Sequence, residues 1–163
     1  MKKLLLSYAA YNLWANQRIL DVILNLTDEQ INREIESSFS SIFKTVAHMW
    51  DAESLWWQRV KMMEKHERPS DHFTGTITEM ADHLIKQSKQ WKEWVDLATE
   101  AALEHEFIYR NTKKEQFKQP VSEVLHHIFN HASYHRGQLV TMLRQVGVKD
   151  IPGTDLVLFL RKK

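Results

Sequence analysis

The chain has 163 residues, no cysteine, a formal net charge of +1, and only 4 glycines and 3 prolines. That length suits one domain, 1–163, with a core of its own. The missing cysteines exclude disulfides, thiolate ligands and a cysteine nucleophile, the even charge gives nucleic acid no footprint, and the shortage of turn formers excludes an all-β sandwich or barrel.

Met1-Lys2-Lys3-Leu4-Leu5-Leu6 opens like a signal peptide, but Ser7, Asn12, Asn16, Gln17 and Arg18 interrupt it and no small-residue cleavage site follows. No run reaches the roughly 18 apolar residues of a membrane span. The expectation is a cytoplasmic protein without a membrane partner, its first helix running from about Lys3 to Leu26 on Leu5, Tyr8, Leu13, Ile19, Val22, Ile23 and Leu26. Thr27-Asp28-Glu29-Gln30 reads as a stop followed by a capped short turn. A second helix is predicted from Ser40 or Ser41 to about Lys65, with Ile42, Val46, Met49, Glu53, Trp56 and Val60 as its inner stripe. A loop at Arg68–Asp71 and Thr74–Thr76 precedes a third helix, from about Thr78 to Glu100, that turns Met80, Leu84, Trp91, Trp94 and Leu97 inward.

Between Glu104 and Gln119 the helical period breaks. Phe107, Ile108, Tyr109 and Phe117 flank Asn111-Thr112-Lys113-Lys114, which predicts an extended excursion or small hairpin. Pro120 suits the first turn of a fourth helix, and Gly147 stops it after about Val146. Leu156–Leu160 is too apolar to be free and is expected to pack as a short closing helix. The fold class is therefore all-α, a four-helix bundle with a short excursion before its last long helix and a short C-terminal closing segment.

The 9 histidines and 6 tryptophans stand out in a chain of this size. On the fourth helix His131 and His135 lie about 40° apart on one face, one turn apart, where two imidazoles can share an ion. His127 lies on the same stripe but about 12 Å along the axis from His135, so one ion takes one pair and not all three. A further ligand has to come from a facing helix, and His48, at the edge of the second helix's inner stripe beside the small Ala52, is the best placed. His66, His72 and His105 fall near helix ends or in loops and read as surface. By the same reasoning Gln138 and Asn130 lie near the ligand face, where they could orient ligands or substrate. Glu53 is the one carboxylate on an inner stripe, suited to a base, a partner of the site or a structural ion pair. Gly137 reads as a close-packing position. Trp50 and Trp57 fall off the inner stripe, an aromatic face that would suit a dimer interface.

The run His127-Ile128-Phe129-Asn130-His131-Ala132-Ser133-Tyr134-His135-Arg136-Gly137-Gln138-Leu139 resembles the signature of the DinB/YfiT-like family. Thr45–Glu53 is similar to that family's second-helix motif, Tyr11–Asn16 to its first-helix opening, and the segment from Asp155 to its closing stretch. The resemblance covers nearly the whole chain. It implies an up-down-down-up bundle and a site of three histidines, His48, His131 and His135, holding one divalent metal. It also implies a homodimer, and no chemistry of the DNA polymerase that shares the name. Zn²⁺ suits such ligands best, with Ni²⁺ and Fe²⁺ also compatible.

Three neutral imidazoles leave coordination positions open, as in catalytic metal sites. The expected function is a metal-dependent enzyme acting on a small molecule, and the resemblance points to a thiol S-transferase that activates a low-molecular-weight thiol. The chain's lack of cysteine fits, since the nucleophile would then arrive with the substrate. A non-catalytic metal binder or sensor of the same fold is the alternative, and an interaction module with an incidental histidine cluster a third. The residues between His131 and His135, Ala132-Ser133-Tyr134, include no glutamate, so the run is not the zincin signature. No residue beyond the ligands is assigned a catalytic role.

Overall fold

Local signals set the helix ends. In the computed structural model, which describes residues 1–111 and 113–161, helix α1 spans Lys2–Ile23. The short α2, Asp28–Asn32, opens with a capping box in which the Thr27 side chain accepts from Gln30 N–H and Gln30 Oε1 accepts from Thr27 N–H. Helix α3, Ile42–Val60, starts behind Ser41, whose hydroxyl accepts from Lys44 N–H. Helix α4, Ile77–Leu97, starts with a second capping box, Thr76 with Glu79. A short α5, Glu100–Glu104, leads into the antiparallel pair β1, Glu106–Arg110, and β2, Gln116–Pro120, which place Tyr109 opposite Phe117. Helix α6, Val121–Gln145, follows directly and ends before Gly147 at φ +96°. Helix α7, Leu156–Arg161, closes the described chain. Thr112 of the predicted turn lies outside the described residues.

Two apolar clusters fix the direction of the four long helices. One joins the end of α1 (Ile19, Leu20, Ile23), the starts of α3 (Ile42, Val46, Met49) and α4 (Met80, Leu84), and the end of α6 (Leu139, Met142, Leu143). The other joins the start of α1 (Leu5, Ala9), the end of α4 (Trp91, Val95) and the start of α6 (Val121 to Phe129), with Trp56 and Val60 of α3 packed on it. Helices α1 and α6 therefore run one way and α3 and α4 the other, giving the up-down-down-up topology. Both α1 and α3 lie between α4 and α6.

A polar layer separates the two clusters. Asn12 and Asn16 of α1, Glu53 of α3, Ser88 of α4 and Arg136 of α6 are all at most 2% exposed. Each asparagine donates through Nδ2 to Glu53 Oε1, at 2.9 and 3.2 Å, and accepts from Arg136 Nη1, at 2.8 and 2.7 Å. Ser88 Oγ lies 3.0 and 2.9 Å from the two carboxylate oxygens. Buried charges need such partners, because an unpaired one costs several kcal/mol.

Several local expectations are corrected. Helix α3 ends at Val60 and not near Lys65: Lys61 to Glu67 are all exposed, with no core face to bury, and the Gln58 side chain ties back to both backbone groups of Glu67. Leu97 is 84% exposed, because α4 stops there and Ala98, in extended conformation, turns inward in its place. Trp50 is buried, stacked 4.8 Å from the His83 ring, and Trp57 is half-buried with its edge toward Trp91, so the two rings form no exposed aromatic face for a dimer. Gly137 is exposed and a Cβ there would meet nothing within 4 Å, so close packing is not its role. Helix α7 forms as predicted but packs mainly through Phe159 onto Tyr11 and Trp14, leaving its leucines and Val157 37–49% exposed. Among the described residues no helix is long and apolar enough to cross a membrane.

Candidate metal centre

Helices α3 and α6 lie side by side, and their facing turns bring His48, His131 and His135 together. His131 Nε2 stands 3.1 Å from His48 Nε2 and 3.0 Å from His135 Nε2. The three donor nitrogens all lie within 4.8 Å of one another. Two nitrogens bonded to one ion at about 2.0–2.1 Å would stand about 3.0–3.4 Å apart, so this donor set fits a single divalent metal. The i, i+4 spacing on α6 supplies two of the nitrogens, and the antiparallel crossing of α3 supplies the third.

The third ring is oriented from behind. His135 Nδ1–H donates to Gln138 Oε1 at 2.8 Å, and Gln138 Nε2 donates to Ser38 Oγ at 2.7 Å. Because the carboxamide oxygen can only accept, the proton sits on Nδ1 and the Nε2 lone pair faces the cluster. Phe39, in the segment leading into α3, stacks on His48 at 4.1 Å and reaches within 5.7 Å of the His135 ring. His135 is buried, while His48 and His131 stay half-exposed and leave an approach from outside.

All three imidazoles are held neutral. Burial pushes His48 down to about 4, assisted by His135 and Arg68. Burial, then His135, His48 and His127, push His131 down to about 3. Burial also lowers His135, against a raising hydrogen bond to Gln138. Crowding three imidazoles penalises protonating any of them, and leaves three lone pairs for an ion.

The remaining candidates divide. Gln138 is part of the site. His127 stands outside the converging set, its ring 5.7 Å from that of His131 and 5.4 Å from Trp56, and Asn130 is exposed. Glu53 is not a base of this site: its carboxylate is engaged by Asn12, Asn16 and Ser88, and burial raises its pKa to about 7. Sequence reasoning missed Phe39 and Ser38, which sit in a segment without periodicity. It also passed over Asn12 and Asn16, whose spacing with Leu5, Ala9, Ile19 and Ile23 marks them as inward-facing.

An up-down-down-up helical bundle with three converging, neutral histidines on its third and sixth helices defines the class of protein. The DinB family model matches residues 1–163, and the chain belongs to the DinB family. Protein DinB of Bacillus subtilis is 30% identical over 159 residues, covering 92% of this chain and 90% of that protein. The fold is similar to a DinB-like protein from Bacillus cereus, with TM-score 0.69, 23% identity, and 88% and 91% of the two chains covered. It is also similar to YfiT from Bacillus subtilis, described as a "probable metal-dependent hydrolase with an unusual four-helix bundle topology", with TM-score 0.70, 14% identity, and 87% of each chain covered.

Proposed function

We propose that the protein is a metal-dependent enzyme that activates a small thiol for transfer to an electrophile. The observation that carries this is the triad itself: three neutral imidazoles, two of them partly accessible, which among the described residues group with no carboxylate, Glu53 being bound into the core. A divalent ion held there supplies a Lewis acid that lowers the pKa of a coordinating thiol toward neutral pH. The protein's own groups do the rest. Gln138 and Phe39 hold the rings in place, and the stacked Phe39 keeps water off one side of the cluster. His127, although exposed, packs its ring against Trp56. The water lost there, with the nearby Arg59 charge, lowers its pKa, so it is neutral at pH 7 and able to take the thiol proton. The sulfur then forms a bond to the electrophilic carbon, and the leaving group departs with the electron pair of its own bond. The likeness to YfiT favours a second reading, hydrolysis, in which water replaces the thiol and His127 serves the same proton.

Conjugation of a small thiol with an alkylating electrophile, followed by mass spectrometry on apo, Zn²⁺- and Ni²⁺-loaded protein, tests the reading. Metal-dependent conjugation supports it. A rate that is the same with and without metal, across a broad panel, removes it. Ester or amide cleavage by the same preparations would favour hydrolysis, and neither activity would favour a metal-binding role.

A further inference from the structure

A groove of about 310 Å³ opens between the first turns of α1, the start of α6 and helix α7, lined by Leu4, Ser7, Tyr8, His126, Leu156 and Leu160. His126 and His131 are five residues apart, which sets them about 140° apart around α6, so the groove and the metal centre face different ways. The rim of the groove is apolar and uncovered. Leu4 is 64% exposed and Met1, one turn before it, 66%, while Leu156, Val157, Leu158 and Leu160 are 37–49% exposed. Single exposed leucines are ordinary, but a contiguous apolar patch marks a contact surface. Helix α7 has 6 residues, none of them buried, and a helix so short does not hold by itself in water. Phe159 pins it to Tyr11 and Trp14, and a surface laid against its other side would complete its burial. The charge around the patch is of one sign. Met1–Tyr8 contains Lys2 and Lys3, Leu156–Lys163 contains Arg161, Lys162 and Lys163, and neither stretch holds an aspartate or glutamate. Lys3 stands one turn before Ser7, and Arg161 one turn after Val157. The whole chain has a net charge of +1, so this is a local concentration of cations.

We propose that this face docks on an anionic lipid surface, with Leu4, Leu156, Val157 and Leu160 entering the headgroup boundary and Lys2, Lys3 and Arg161 meeting the lipid phosphates. Charge decides between the occupants. A second copy on a two-fold axis would bring two sets of the same cations into one interface, whereas a bilayer of acidic lipids presents the opposite sign. The exposed side chains are also aliphatic, and leucine and valine are under-represented among the residues that anchor protein partners. The expectation of no membrane partner came from the lack of a spanning run, and lying on a surface needs none. The proposal is independent of the reaction at the triad, and docking this way leaves α3 and the triad side of α6 uncovered.

The test is cosedimentation of the full chain with vesicles of phosphatidylcholine alone and of phosphatidylcholine mixed with phosphatidylserine, at low and at high salt. The wild type should bind the mixed vesicles at least about 10-fold more tightly, and lose that advantage at high salt. K2Q/K3Q/R161Q should bind the mixed vesicles about 100-fold more weakly, since each cation near such a surface is worth about 5-fold. K44Q/K86Q/K89Q removes as many charges from exposed positions on α3 and α4 and should bind as wild type. V157D/L160D, at positions already exposed, should lose binding while keeping the wild-type circular dichroism. The charge variants keep the test decisive should V157D/L160D fail to fold. No binding of the wild type to mixed vesicles overturns the proposal, and so does an equal loss in the two charge variants, which would mean adsorption by net charge. Light scattering tests the rival occupant: wild-type dimers that V157D/L160D converts to monomers would make the face an interface between copies and overturn the proposal as well.

Discussion

Gln138 accepts the Nδ1 proton of His135 at 2.8 Å and is itself anchored to Ser38, so a residue one turn further along α6 decides which nitrogen of His135 faces the cluster. Losing such a partner usually costs about 10–100-fold in metal affinity. Gln138→Ala is expected to bind Zn²⁺ about 10-fold more weakly in a chelator competition, while Asn130→Ala, at an exposed position, binds as wild type. Equal affinities for the two variants would detach Gln138 from the site.

The three converging nitrogens also predict metal content. His131→Ala and His135→Ala should purify without the ion, His48→Ala should hold it weakly, and His127→Ala should retain one ion per chain. Elemental analysis of the four proteins checks this. Metal lost from His127→Ala but kept by His135→Ala would move the site one turn along α6.

Protons compete with metal for the same lone pairs, so the lowered pKa values set the acid limit of binding. With His48 near 4 and His131 near 3, against an ordinary 6.5, apparent Zn²⁺ affinity should stay nearly flat from pH 7.5 to about 6 and fall steeply toward pH 4. Isothermal titration at stepped pH measures it. A tenfold loss already between pH 7.5 and 6.5 would mean that the imidazoles titrate as free histidines and that the cluster is not preorganised.

The polar layer makes an opposite pH signature in the apo protein. The pKa of Glu53 is raised from 4.5 to about 7, so the folded state binds the extra proton in that window. Its contribution to stability is then present below 4.5 and lost as pH rises toward 7. The triad histidines, with lowered values, contribute in the other direction, gaining stability as pH rises toward 6.5. Relative to wild type, Glu53→Gln should gain up to about 3 kcal/mol between pH 4.5 and 7 in urea unfolding, at 1.36 kcal/mol per pKa unit. A constant difference across that range would contradict the raised value.

Arg136 should be harder to replace. Removing it strands the two asparagine carbonyls and the Glu53 charge, and breaking a buried charged network costs about 3–5 kcal/mol. Arg136→Met is expected to lower stability by that amount in urea unfolding at pH 7.5, with a helical circular dichroism spectrum retained in the folded fraction. A loss under 1 kcal/mol would show that the layer contributes little.

The helices and their ends were legible because they depend on neighbours in sequence. Thr27, Ser41 and Thr76 cap locally, Gly147 takes a positive φ that stops α6, and the apolar stripes recur at helical spacing. The His131–His135 pair was legible for the same reason, since i, i+4 on a helix fixes their separation before any tertiary contact forms. The family signature added His48, which spacing could only nominate. Other features depend on how helices distant in sequence cross. Only the packed bundle sets His48 Nε2 at 3.1 Å from His131, stacks Phe39 on it, and turns Glu53 toward Asn12, Asn16 and Ser88 and away from the triad. It also buries Trp50 against His83, where helical phase alone put it outside. Periodicity assigns a residue to a face of its own helix; which side chains from the other helices meet that face is set by interhelical register, and that register is fixed by burial of the two apolar clusters about the polar layer.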